Sequence, residues 1–141
     1  LKHYQRVIVL NPLHALAFSN IGMVYFGLFQ RDNDRSFLKP ALQNFNKSIQ
    51  LDPSLSDAYN GRGAVYLVLN ESNKAVLDFK KVIQLKPEFV DAYFNLTYAL
   101  VNGGRKKEAA DMLDRFKKSF FGKLDPKDQN ELDRLIAEIN S

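Results

Sequence analysis

Apolar residues recur along this chain at the spacing of a helix, not at the alternation of a strand. Phe18, Ile21, Gly22 and Tyr25 follow i, i+3, i+4 and i+7, and Leu132, Leu135, Ile136 and Ile139 do the same near the end. Turn residues interrupt the pattern at "LNP", "LDP", "LKP", "NGG" and "FFGKLDP". Proline cannot continue a helix interior but suits the first turn of the next, so each such proline ends one helix and admits another. The pattern predicts an all-α chain. A helix spans 1–10, pairs follow at 13–29/36–51, 55–69/72–85 and 89–102/105–120, and a last helix runs over 126–140. Asp125 is placed to cap that last helix, with Pro126 in its first turn.

The same outline returns three times. "NPLHALAFSNIGMVYF", "DPSLSDAYNGRGAVYL" and "KPEFVDAYFNLTYALV" each open on a proline, with alanine five residues later (Ala17, Ala58, Ala92) and an aromatic at six (Phe18, Tyr59, Tyr93). A small residue stands at ten (Gly22, Gly63, Thr97), and Ala41, Ala75 and Ala109 each precede a large apolar residue by four (Phe45, Phe79, Leu113). Pro53 to Pro87 is 34 residues and Pro12 to Pro53 is 41. The extra seven equal about two helical turns and are expected either to lengthen both helices of the first unit by a turn each or to enlarge its loop. The small residues let the two helices of a pair approach closely while the aromatics fill the space beside them, so a leucine at Gly63 should overpack that crossing by about 1–3 kcal/mol.

A 34-residue helix-turn-helix period with this residue order resembles the tetratricopeptide repeat family. The resemblance covers about residues 1–121 and is clearest in "DAYNGRGAVYLVLNESNKAVLDFKKVIQLKP". The third unit departs from it with Thr97 where glycine is usual and Phe121 in place of proline. The resemblance implies a right-handed superhelix, an α-solenoid of antiparallel helix pairs. One domain over 1–141 is expected: a half-repeat at 1–10, repeats at 13–53, 54–87 and 88–121, and a capping helix at 126–140 that covers the last repeat. Because the chain opens partway through a motif, at "LKHYQRVIVLNP", it reads as a piece of a longer protein.

In this family the first helices line a concave groove. The resemblance implies that the groove positions here are Leu16, Ser19, Met23 and Phe26, then Asp57, Asn60, Ala64 and Leu67, then Asp91, Phe94, Tyr98 and Val101. Chaperone-binding members clamp a terminal carboxylate with lysines, an arginine and asparagines, but the corresponding places hold Ser19, Met23, Gly61, Asp91 and Asn95. "AFSNIGMVY" and "VDAYFNLTYALV" look like the repeats of the O-linked N-acetylglucosamine transferase, whose asparagines form a ladder along a peptide backbone. Asn20 and Asn95 match that ladder, and Gly61 interrupts it beside Asn60.

The resemblance therefore implies a non-catalytic scaffold that binds a peptide or partner-protein segment. The alternative is an oligomerisation module using the apolar face of the half-unit, Tyr4, Val7 and Ile8.

Charge and composition narrow this further. The net charge of +4 is accounted for by residues 105–127, with eight bases and four acids interleaved. That mixture reads as a solvated helix face, not as the basic stripe a nucleic acid needs. No apolar run approaches the ~20 residues of a membrane helix. With no cysteine, and with His3 and His14 lacking neighbours at ligand spacing, neither a metal nor another cofactor is expected. "GRG" at 61–63 lies in a helical pattern with no strand before it, so it is not a phosphate loop, and no catalytic constellation is found.

One charge stands out. Arg62 occupies the position of Ile21 and Leu96, and Asp78, sixteen residues on, that of Met112. An isolated buried charge is costly, so the two are expected to pair across the helices of the second unit.

Overall fold

The computed structural model describes residues 12–141, so the expected helix over 1–10, with Tyr4, Val7 and Ile8, lies outside the described residues. Seven α-helices follow in order, with no strand among the described residues. They are α1 (Pro12–Asp32), α2 (Leu38–Leu51), α3 (Ser56–Val68), α4 (Ser72–Leu85), α5 (Val90–Asn102), α6 (Lys106–Ser119) and α7 (Pro126–Asn140). A 3-10 turn, Arg35–Phe37, leads into α2. The helices pack as antiparallel pairs α1/α2, α3/α4 and α5/α6, and each pair stacks on the next through α2 against α3 and α4 against α5. The result is an α-solenoid.

The turns are built from the residues that interrupt the pattern. Asp52 Oδ1 accepts from the Ser54 N–H and hydroxyl at 3.0 and 2.7 Å, which holds its carboxyl below the usual aspartate range. The recurring aromatic six residues after proline ties the turn to the next helix: Tyr59 donates to the Pro53 carbonyl at 2.8 Å and Tyr93 to that of Pro87 at 2.7 Å. Within the second and third pairs the turn passes through one residue in the left-handed region, Asn70 (φ 60°) and its counterpart Gly104 (φ 76°). At the start of α7, Asp125 accepts the Asp128 N–H at 2.8 Å, and Pro126 occupies the first turn.

Close helix approach depends on missing side chains. A Cβ on Gly63 would lie 2.8 Å from Phe79, and one on Gly22 2.8 Å from Phe45. Phe45 also reaches the following pair, where a Cβ on Gly61 would lie 2.3 Å from its ring. Phe45, Phe79 and Leu113 are the fully buried centres of successive pairs, each side chain stabilising by about 1.5–3 kcal/mol through burial alone. Thr97 fills the third glycine-like position without an orphaned hydroxyl, since it donates to the Tyr93 carbonyl at 2.8 Å. The apolar stripe of α7 (Leu132, Leu135, Ile139) is buried in the same core cluster as α4, α5 and α6.

The seven-residue expansion is not shared between the helices of the first pair. α2, α4 and α6 are each 14 residues long, whereas α1 has 21 against 13 for α3 and α5. Five of the seven residues extend α1 and two enlarge the turn before α2. The last turns of α1 carry their own apolar partners, Tyr25, Phe26 and Phe29 packing with Leu38 and Leu42.

Candidate functional site

The first helices of the second and third pairs bring two amides together. Asn95 Nδ2 on α5 donates to Asn60 Oδ1 on α3 at 3.3 Å, and both side chains are half-buried. They stand at a pocket of about 320 Å³ whose other first-helix walls are Asp91, Phe94 and Tyr98. Each primary amide carries two donors and an acceptor, so this single contact leaves most of their bonding capacity open.

The remaining wall is α7. Lys127, Asp128 and Glu131 line the same pocket, together with Phe89 at the entry to α5. The Tyr98 hydroxyl donates to Glu131 Oε1 and accepts from Arg134 Nη2, while the Arg134 guanidinium lies over its ring at 5.9 Å. Bonds from Arg134 and then Tyr98 hold the Glu131 carboxyl below its usual range. Asp128 is shifted the other way, first by burial and then by the nearby charges of Asp125 and Asp91. Glu131 and Arg134 stand 36 residues after Asn95 and Tyr98, so α7 takes the place of a further first helix. That two-residue departure from the 34-residue period is the signal by which the sequence could have shown it.

The other inner-face candidates divide. Leu16, Asn20 and Met23 are exposed on α1, Asp57 is exposed on α3 and Asp91 on α5. Phe26, Ala64, Leu67 and Val101 are partly buried. Asn20 does not join the amide pair: its counterpart on α3 is Gly61, which has no side chain to continue the row. Ser19 is not a groove residue: it is 1% exposed and its hydroxyl has no partner, the short side chain ending inside the packed body. Phe94 is also mostly committed to the core, edge-on to Phe116 at 5.5 Å, and offers the pocket only part of its ring.

Arg62 and Asp78 meet on the other side of the second pair. Arg62 Nε and Nη2 donate to the two Asp78 oxygens at 2.9 and 2.7 Å, and Nη1 donates to Asn46 at 3.0 Å. The guanidinium lies 5.7 Å from the ring centres of both Tyr59 and Tyr66. Burial pushes the Asp78 carboxyl upward, and the bonds from Arg62 offset part of that rise. Arg62 keeps its charge, favoured first by its bonds to Asp78.

No group of His, Cys, Asp or Glu suited to a metal occurs among the described residues, and no described helix is long and apolar enough to cross a membrane.

The family model for the tetratricopeptide repeat matches residues 56–89, the segment that supplies Asn60, Arg62 and Asp78. Residues 56–89 form a tetratricopeptide repeat. The Hsp70-Hsp90 organizing protein 3 of Arabidopsis thaliana is 33% identical over 75 residues, which is 53% of this chain and 12% of that protein's length. Among solved tetratricopeptide-repeat structures, the TPR2B domain of yeast Sti1, from its complex with pHsp70, superposes with a TM-score of 0.75 at 22% identity. That match covers 89% of this chain and 95% of that one. The first such domain of Spaghetti (RPAP3), bound to the HSP90 peptide SRMEEVD, gives 0.73 at 19% identity over 94% and 98%. At these identities the two structures establish the fold.

Proposed function

We propose that this chain is a non-catalytic scaffold that holds a segment of a partner protein along the inner face of α1, α3 and α5. The observation that carries the reading is the Asn60–Asn95 pair at the mouth of the pocket closed by α7. Two adjacent amides can each donate to and accept from a peptide backbone, while Phe94 and Tyr98 below them give an apolar side chain somewhere to bury. Ligands of related domains support the class of partner, although the chemistry of this groove differs from that needed for an acidic tail such as SRMEEVD. Asp57, Asp91 and Asp128 repel an acidic carboxyl terminus and favour an apolar segment with basic flanks, chiefly by speeding encounter.

Selection of a displayed library of linear peptides on residues 1–141 tests this. The selected peptides should be apolar with flanking lysine or arginine. The pair Asn60→Ala/Asn95→Ala should weaken them by about 1–3 kcal/mol without loss of helicity, the scale of two ordinary hydrogen bonds. Selection of acidic carboxyl-terminal peptides, or indifference to the double substitution, overturns the reading.

A second reading, assembly of copies through the first pair, is favoured by one observation. Ile21 and Val24 on α1 are 43% and 62% exposed, whereas Leu96 and Ala99, their counterparts on α5, are buried. Light scattering at micromolar concentration separates the two, since a monomer excludes assembly as the main role.

A further inference from the structure

A second cleft lies on the opposite face, between the second helices α4 and α6, whose backbones do not pack directly on one another. Its volume is about 390 Å³, its floor includes Leu96, Leu100 and Met112, and Lys80 and Arg115 stand at its rim. The space one repeat earlier shows what it lacks. Counting back 34 residues, Leu96 becomes Arg62, Leu100 becomes Tyr66, Met112 becomes Asp78 and Lys80 becomes Asn46. There the Arg62 guanidinium occupies the space, bonded to Asp78 and Asn46 and flanked by Tyr66. In the third repeat no side chain of that kind is present, and the cleft is open over an apolar floor, with Lys80, Glu108, Asp111, Arg115 and Ser119 also in its lining.

The rim indicates what fits. Asp111 and Arg115 are exposed on α6 at i and i+4, line the cleft, and have no hydrogen-bond or ion-pair partner among the described residues. A complementary surface must present a base and an acid at matching separation, about 6 Å along the axis, which is one helical turn. A helix does this with residues four apart and can place a large apolar side chain beside them.

We propose that the α4/α6 cleft is a docking site for a short amphipathic helix of a partner protein. It inserts a leucine, methionine or phenylalanine between the two helices and sets a base on Asp111 and an acid on Arg115. The site is independent of the inner-face pocket, so one chain can hold two segments at once.

A displayed library of short helix-forming peptides, selected on residues 1–141, supplies the probe. Selected peptides should carry a large apolar residue beside an acid and a base four apart. Lys80→Asn/Leu96→Arg/Met112→Asp transplants the arrangement of the second repeat into the cleft and should weaken binding at least about tenfold. Asn60→Ala/Asn95→Ala should leave binding unchanged, which separates this site from the inner-face reading. The exposed exchange Asp111→Arg/Arg115→Asp should reverse the preferred order of acid and base, and it decides the matter if the triple variant loses helicity. Absence of enriched peptides, peptides indifferent to the triple variant, or an unchanged preference after the exchange overturns the proposal. So does a wild-type dimer that the triple variant converts to monomer, because the occupant is then a second copy.

Discussion

Arg62 grips both carboxylate oxygens of Asp78, at 2.9 and 2.7 Å, across the two helices of one repeat. The Asp78 side chain is 5% exposed and that of Arg62 22%, so removing either partner strands the other. Asp78→Ala should destabilise by about 3 kcal/mol in urea unfolding followed by circular dichroism. Arg62→Leu/Asp78→Met, which installs the residues of the third repeat, should recover most of that loss or exceed wild type, because apolar packing replaces a desolvated pair. A double variant as unstable as the single one would show that the ion pair is required for the crossing itself.

Two glycines should respond in opposite directions to the same change. Gly61→Ala drives a methyl to within 2.3 Å of the buried Phe45 ring and should cost about 1–3 kcal/mol. Gly27→Ala, inside α1 with nothing within 4 Å, should stabilise by about 0.5–1 kcal/mol through helix propensity. Thermal unfolding of the two variants side by side checks both.

Two buried serines should also part company. Ser48 donates to the Ala15 carbonyl at 2.6 Å, so Ser48→Ala should cost about 1 kcal/mol. Ser19 has no partner, and Ser19→Ala should be neutral or stabilising. A destabilised Ser19→Ala in urea titration would show that its hydroxyl is engaged after all.

Acid should loosen α7 first on its Tyr98 side. The Glu131 carboxyl is held below its unfolded value by Arg134 and Tyr98. Its stabilising contribution is therefore complete above the ordinary glutamate range and lost as pH falls through the lower folded value. Tyr98 ring resonances followed by NMR should shift across that acidic window, and Glu131→Gln should abolish the shift. A wild-type transition unaltered by Glu131→Gln would assign the acid response elsewhere.

Legibility in the sequence followed the reach of the side chains. Helices and turns were readable because apolar period and proline act locally, and the spacing of Tyr59 after Pro53 recurs as Tyr93 after Pro87 because the same hydrogen bond closes both turns. Arg62 and Asp78 stood out because their counterparts are apolar, a comparison that needs no coordinates. Ser19 was misplaced because offset along a helix gives direction but not depth. The α7 wall was missed because Glu131 and Arg134 fall 36 residues after their counterparts and differ from them in chemistry. The α4/α6 cleft was missed because it consists of atoms that Leu96 and Met112 do not have.

The five residues by which α1 runs past the point matching the end of α3 at Val68 extend it by about 7.5 Å. They end in aromatic neighbours of their own, Phe26 on Phe29 at 5.9 Å and Tyr25 near Phe37 at 6.3 Å. Chains made of near-equivalent units are prone to docking them in the wrong order or exchanging them between molecules. An overhang packed against α2 and the turn before it, with no equivalent in the later pairs, sets the first described pair apart from the other two. α1 thus serves as an address within the array, marking where assembly counts from while the chain is still choosing its neighbours.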